Sequence, residues 1–418
     1  MEEILHYVWK FKLFDKALTT TDGLLIEVID PGMSNTNAGP DFFNAKLRIG
    51  EEYWAGNVEI HTSSSDWLRH KHQENDAYKS VVLHVVKHAD CVVKDKEGRF
   101  IPQCELCYPK HIDENYDLLL HANIDLPCAN YLQTMDRFHL SSWMSSLLME
   151  RVERKANDIE RHVKDFEGSW EDVFYVLLSR NFGFGLNADA FERLALSLPL
   201  RYIQKHSDSI VQIEALLLGQ AGFLVDEKIQ DSYHQLLQSE YDFLRHKYEL
   251  CPLEKHIFKN MRTRPTAFPQ MRIAQLAALL HNSQGLFSKV VEKKDVGILR
   301  LLFHVNASEY WQTHFTFGKE SIKKSKFVGD SSLDVILINT VVPILFAYGK
   351  HVGEEDLCER AIFFLEQINA EKNMITKLFL RQGVPMKSAA NSQAVIQLKK
   401  EYCDNRKCLY CRVGHKML

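Results

Sequence analysis

The sequence predicts an α+β protein. It would comprise a mixed-sheet domain over residues 1–130, a large, mainly α-helical region over 131–402 and a C-terminal Cys/His knuckle over 403–418. Three observations predict this. Short β-branched or alternating runs bounded by Asp, Gly and Asn fill the N-terminal part. From about residue 136 apolar residues recur at helical spacing. The chain end gathers three cysteines and a histidine.

In order, the opening run MEEILHYVWKFKLF begins with two acids and has no small-residue cleavage site, so it is not an export signal. It reads as an amphipathic helix with Ile4, Leu5, Val8 and Phe11 on one face. Residues 24–29, 42–49, 53–61 and 81–88 read as strands. Between the last two, Ser65-Asp66 caps a helix that opens with Trp67 and Leu68. Residues 91–106 add a strand or hairpin with a turn at Lys96-Glu97-Gly98. Then the period changes. Trp143, Leu147, Leu148, Val152 and Ile159 lie on one helical face, and Glu150 with Arg154 forms an i,i+4 pair. Further helices are expected at 170–180, 188–197, 209–218, 233–247, 271–281, 358–368 and 389–402. No repeat period is visible, so a solenoid is not supported. The apolar run Val335–Ala347 contains Asn339, Thr340 and Pro343, which favours a core helix or strand-loop-helix over a membrane span.

The balance of 51 basic and 55 acidic residues leaves a net charge of −4, so a nucleic-acid surface would have to be a local patch. Nine cysteines without an export signal point to reduced thiols in the cytoplasm. No membrane partner is expected.

One constellation lies on the strands. Asp41 follows Gly39-Pro40 and opens a strand, and Glu59 and His61 share one face of the next. Across a hairpin the two carboxylates can meet and hold Mg²⁺ or Mn²⁺ for phosphodiester hydrolysis. The alternative is a turn-capping Asp41 and a solvated Glu59. His61, His70, His72, His84 and His88 crowd the same stretch, and a histidine-rich site favours Zn²⁺, Mn²⁺ or Fe. His84 interrupts an apolar strand and needs a polar partner, for which Glu59 and Asp41 are candidates. The catalytic candidates are therefore Asp41, Glu59, His61 and His84.

The second constellation is Cys403-x4-Cys408-x2-Cys411-x3-His415, the ligand types and spacing of a tetrahedral Zn²⁺ site. With Cys128 or Cys358 as fourth ligand, the three cysteines could instead hold an iron–sulfur cluster. Cys104-x2-Cys107 with His111 is a weaker pair, and Cys104 reads better as a small buried hydrophobe. Arg262, Arg264, Phe268 and Arg272 form a Pro-rich basic loop able to hold phosphate and stack a base, or to cap helices. Lys407 and Arg412 belong to a tail, Lys399–Lys416, with six basic and two acidic residues (6 − 2 = +4).

Pro40-Asp41, followed by Glu59-Ile60-His61, resembles the PD-(D/E)XK nuclease motif, and the order helix, three strands, helix, strand is similar to that superfamily's core. His61 departs from it, standing where lysine is usual. Over its full length the chain also resembles a bacterial domain-of-unknown-function family (family 2851). The resemblance rests on Asn37-Ala-Gly-Pro-Asp41-Phe, Gly56-Asn-Val-Glu-Ile-His61, Ser65-Asp-Trp67, Leu83-His-Val-Val86, Glu214-Ala-Leu, Gly219-Gln-Ala-Gly222, Arg264-Pro265, Phe268-Pro269, Ile338-Asn-Thr-Val-Val-Pro343 and the Cys403 knuckle. It implies no activity, so function rests on the site. Three readings follow: a metal-dependent nucleic-acid phosphodiesterase or a degenerate relative of one; a non-catalytic RNA-directed binding or scaffold protein; and a metal enzyme acting on a small molecule.

Overall fold

The structure, a computed structural model, describes residues 2–14, 17–35, 38–121, 125–225, 229–261 and 263–418. Asn37 of the family motif and Arg262 of the basic loop lie outside them. The chain divides into two units, Met1–Asp136 with Lys399–Leu418, and Arg137–Leu398. The chain end, which the sequence suggests as a segment of its own, therefore belongs to the N-terminal unit. Leu409 enters that unit's core, and Asn115 donates its side-chain amide to the Met417 carbonyl at 2.8 Å.

The N-terminal unit opens with helix α1 (Glu2–Phe11) and strands β1 (Leu18–Thr19), β2 (Leu25–Asp30), β3 (Met33–Ser34), β4 (Phe42–Ile49) and β5 (Glu52–Ser63). Helix α2 (Ser65–Arg69), strands β6 (Val81–His88) and β7 (Gln103–Glu105), and helices α3 (Lys110–His121) and α4 (Ala129–Thr134) follow. The sheet runs β1-β2-β4-β5-β6-β7, with β3 paired to β4. β2, β4 and β5 are antiparallel neighbours, whereas β5, β6 and β7 run parallel. The sheet is therefore mixed.

Period-two alternation sorts β5 into two faces. Val58 and Ile60 join Phe42, Ala45, Leu47, Leu83 and Val85 in a core roofed by Ile4, Leu5, Val8 and Trp9 of α1. Each fully buried aliphatic side chain there contributes about 1.5–3 kcal/mol. Phe11 departs from the expected apolar face: it is 43% exposed and lies beside Tyr7 and His415. The opposite register positions, Glu59, His61 and His84, lie with a second cluster of Trp67, Tyr78, Val81, Val93 and Ile101. Gly56 permits this layering. A Cβ there would stand 2.4 Å from Val82 Cγ1 and 2.7 Å from the Ser80 carbonyl.

The turn expected near Lys96 forms, with the Gly98 N–H donating to the Asp95 carbonyl at 3.1 Å. The start of α2 differs from the expected cap. The Ser65 N–H and hydroxyl both donate to Asp90, at 2.8 and 2.6 Å, so the cap comes from beyond β6.

In the second unit the long helix α5 (Arg137–Asp165) carries the expected Trp143–Ile159 stripe on its buried side. The Val335–Ala347 run is part of an apolar helix, Asp330–Val352, long enough to cross a membrane, but 72% of its most apolar stretch is buried inside the structure. It continues through a π-helical turn at Leu337–Val341. Pro343 has no N–H to offer the Asn339 carbonyl. Asn181 replaces it, donating its amide to that carbonyl at 3.1 Å and to Thr340 Oγ1 at 2.8 Å.

Candidate metal centre

Two backbone devices aim the ligands. The first is a bulge in β4 between Phe42 and Ala45, where Asn44 has φ +56° and donates its N–H to Asn57 Oδ1 at 3.1 Å. Bulges re-aim the ends of strands. Here Asp41, just before β4, meets Glu59 of β5 reciprocally. The Asp41 N–H donates to Glu59 Oε2 at 3.2 Å, and the Ile60 N–H donates to Asp41 Oδ2 at 2.9 Å. The second device follows α2. Lys71 adopts the left-handed conformation at φ +57°, between the last turn of α2 and the 3-10 turn His72–Glu74. That strained link, costing about 1–3 kcal/mol, turns the chain so that His70 and His72 face one point.

His61 Nε2 lies 3.2 Å from His70 Nδ1 and 3.4 Å from Glu59 Oε1. His72 Nε2 lies 3.2 Å from the same Glu59 oxygen. His61, His70 and His72 each offer one ring nitrogen, and these atoms all lie within 4.8 Å of one another. The rings are held by packing: Tyr78 stacks on His72 at 3.8 Å, and Trp67 stands 5.3 Å from both His72 and His84. His61 Nδ1 is hydrogen-bonded to His84 Nε2 at 2.9 Å, and His84 faces Gln103 across the β6–β7 register. On the more open side, His6 of α1 places Nε2 3.4 Å from Asp41 Oδ2.

The electrostatics are those of a site lacking positive charge. Burial, reinforced by the Asp41 carboxylate, raises the Glu59 carboxyl to about 9. Burial, with the neighbouring His84, His72 and His70, lowers His61 to about 3. Burial likewise lowers His84 to about 4 and pushes His72 down. Burial thus favours a protonated Glu59 carboxyl and neutral His61, His72 and His84 rings over an ion pair. His6 is the exception: burial opposes its charge, but the hydrogen bond and charge of Asp41 outweigh burial and raise its pKa.

A family described as "Protein of unknown function (DUF2851)" matches residues 2–374. The chain belongs to this family. The DUF2851 match spans every residue of the histidine–carboxylate centre and stops before Cys403. No curated protein and no solved structure matches the chain.

The structure gathers all four catalytic candidates, Asp41, Glu59, His61 and His84. His88, from the same histidine-rich stretch, is exposed at the end of β6. His6, and His70 and His72 as ligands, were not assigned from sequence. The His-Lys-His spacing was a visible signal for the latter two, whereas nothing local marks His6. Cys104 is fully buried with its thiol pushed up to about 12 by burial, the state of a core residue. Arg264 is exposed. Arg272 uses its guanidinium internally: it bonds Gln275 and Ser332 at 2.9 and 3.1 Å and lies 4.2 Å over the Phe184 ring. Burial lowers it to about 10. Phe268 is half-buried at the N-terminus of helix Pro269–Asn282. Lys407 and Arg412 are exposed on the tail of the N-terminal unit.

Proposed function

We propose that this DUF2851 protein is a metal-dependent phosphodiesterase acting on nucleic acid, with a PD-(D/E)XK-like core in which His61 takes the usual lysine position. The observation that carries the reading is the convergence of one ring nitrogen each from His61, His70 and His72, with Glu59 Oε1 against His61 and His72 and with Asp41 alongside. The order α1, three antiparallel strands, α2 and a strand parallel to the third supports the core. Exposed Lys407 and Arg412 in the same unit supply cations for phosphate. Nine free thiols fit a reducing compartment.

The donor set fits a divalent transition metal. Three imidazoles and a carboxylate suit Mn²⁺, Fe²⁺ or a five-coordinate Zn²⁺ better than Mg²⁺, which prefers oxygen, and such an ion would keep a position for water beyond these four ligands. His72 Nε2 is buried, and although Glu59 Oε1 lies 3.2 Å away the two do not meet in hydrogen-bond geometry, as two ligand atoms facing one ion would not. When bound, such an ion polarises a phosphoryl oxygen and lowers the pKa of water. The remaining work falls to the chain. His84 fixes the orientation and tautomer of His61 through Nδ1, as outer partners of ligating histidines do. The Asp41 and His6 side chains are 21% and 32% exposed, against 5% and 2% for Glu59 and His61, so substrate approaches from the Asp41–His6 side. Asp41 favours the protonated form of His6, and His6 is the group placed to donate a proton to the leaving oxygen, a contribution of about 10²–10⁴ in rate.

A metal enzyme acting on a small molecule is the second reading, favoured by the deep burial of Glu59 and His61. The deciding assay uses DNA and RNA, single- and double-stranded, with Mn²⁺, Zn²⁺ or Mg²⁺. The proposal expects Mn²⁺- or Zn²⁺-dependent cleavage that disappears in His70→Ala and slows about 100-fold in His6→Ala. Nucleic-acid binding without cleavage in any metal would support the scaffold reading. Hydrolysis of a small phosphodiester alone would support the second.

A further inference from the structure

Among the described residues, ligand atoms of three side chains gather within 4.8 Å of one another at His61, His70 and His72 alone, and the spacing of Cys403, Cys408, Cys411 and His415 brings no second group together. A further device lies behind His61, where polar side chains of three neighbouring strands stand in file. His61 belongs to β5, His84 to β6 and Gln103 to β7, and His84 is paired with Gln103 across the parallel register. The three are 2%, 0% and 3% exposed, so bulk water cannot serve their polar atoms. Each must find its partner within the protein.

The proton positions follow from one fixed end. A backbone carbonyl can only accept, and Gln103 Nε2 donates to that of Cys91 at 3.0 Å. Gln103 Oε1 is therefore the atom left for His84. Oε1 and His84 Nδ1 are both buried, and neither has a hydrogen-bond partner elsewhere. Gln103 acts on His84 as an acceptor does, favouring a proton on the ring. Burial favours neutral rings with one N–H each. An acceptor facing Nδ1 places the His84 proton there and leaves its Nε2 bare. His61 Nδ1 lies 2.9 Å from that bare nitrogen, and a hydrogen bond between two rings needs one donor. His61 therefore carries its proton on Nδ1 as well. Its Nε2 keeps an open lone pair, 3.2 Å from His70 Nδ1 and 3.4 Å from Glu59 Oε1.

We propose that Gln103, anchored on the Cys91 carbonyl, is a positioning residue that sets the tautomer of His84 and through it that of His61, so that His61 Nε2 is a bare ligand atom before an ion arrives. The inference rests on the reading of Glu59, His61, His70 and His72 as a metal centre. Free neutral histidine favours the proton on Nε2. In that form the His61 N–H would point at His70 and Glu59, and an ion would have to displace it. The relay imposes the other form at both rings, as outer partners of ligating histidines do.

The test reads ring ¹⁵N chemical shifts in the metal-free full chain with labelled histidine. His61 and His84 are both expected to show a protonated Nδ1 and a bare Nε2. Q103L removes the acceptor, so both rings should revert toward the Nε2–H form, and Zn²⁺ affinity should fall about tenfold. Q103E keeps an oxygen facing Nδ1 and should retain the wild-type tautomers, which separates a lost acceptor from a disturbed core. The proposal is overturned by an Nε2–H ring at His61 in the wild type, or by unchanged tautomers in a folded Q103L. Should Q103L not fold, the wild-type and Q103E spectra decide, and an Nε2–H ring at His61 in either overturns it. The expected tautomers in a wild-type chain that binds no Zn²⁺, Mn²⁺ or Fe²⁺ would end the metal reading and leave the relay standing.

Discussion

Two buried glutamates of this protein, one in each unit, have opposite surroundings. Glu214 of the helical unit accepts hydrogen bonds on Oε2 from the Tyr233 hydroxyl and from Trp311 Nε1, both at 2.9 Å. Burial raises its carboxyl to only about 7, because Trp311, Ser308 and Tyr233 favour the ionised form. Glu59 stands higher, at about 9, with one backbone N–H on Oε2 and a second carboxylate beside it. Its other neighbours are imidazoles that burial keeps neutral. Glu214 has neutral donors on Oε2, although its Oε1 is buried with no hydrogen-bond partner. A buried carboxyl facing unprotonated ring nitrogens is arranged for a cation. The difference between the two glutamates is the strongest support for a metal at the second.

Glutamine substitution is the sharpest way to break the comparison. E214Q keeps an oxygen for Tyr233 and Trp311, and metal binding should stay unchanged. E59Q removes the anionic ligand. Metal affinity by calorimetry should fall more than about 100-fold, beyond the loss of an outer partner. Equal effects from the two substitutions would end the distinction drawn here. His84→Ala comes next. It leaves every ligand in place but frees the His61 ring, and affinity should drop about 10–100-fold.

A pH series sharpens the comparison further. A carboxyl whose folded pKa is raised contributes stability below its unfolded value near 4.5 and loses it as pH rises through the folded value. Metal-free protein should therefore lose melting temperature from pH 4.5 upward, through about 7 for Glu214 and about 9 for Glu59. His61 and His84, lowered to about 3 and 4, act in the opposite sense, with stability lost as pH falls below 6.5. E59Q should flatten the decline from pH 4.5 to 9, and E214Q only its part below 7. Unchanged profiles in both variants would remove the electrostatic argument. The smallest expected effect is that of Gly56→Ala, whose methyl meets Val82 and the Ser80 carbonyl. It should cost about 1–3 kcal/mol in denaturant unfolding and leave Glu214 unaffected.

Much of this was legible in the sequence, for a local reason. β4 and β6 fall where alternation and β-branching place them, and Glu59 with His61 needed only the period of a strand. His70 and His72 were visible as a pair. Their convergence was not, because it depends on a left-handed Lys71 that no side-chain pattern announces. His6 was hidden more deeply, because it reaches its site through the packing of α1 against β4 and β5. His415 has a spacing from Cys411 that suits a zinc ligand, and in the fold its Nδ1 meets the Tyr7 hydroxyl and its ring lies against Phe11.

The central claim is that Glu59, His61, His70 and His72 hold one transition-metal ion. Anomalous diffraction from crystals grown with Zn²⁺, recorded on both sides of the zinc edge, tests it most directly. The account predicts a peak about 2.0–2.2 Å from His61 Nε2, His70 Nδ1, His72 Nε2 and Glu59 Oε1. Crystals whose four side chains keep the arrangement described above, with no peak between them, would contradict it.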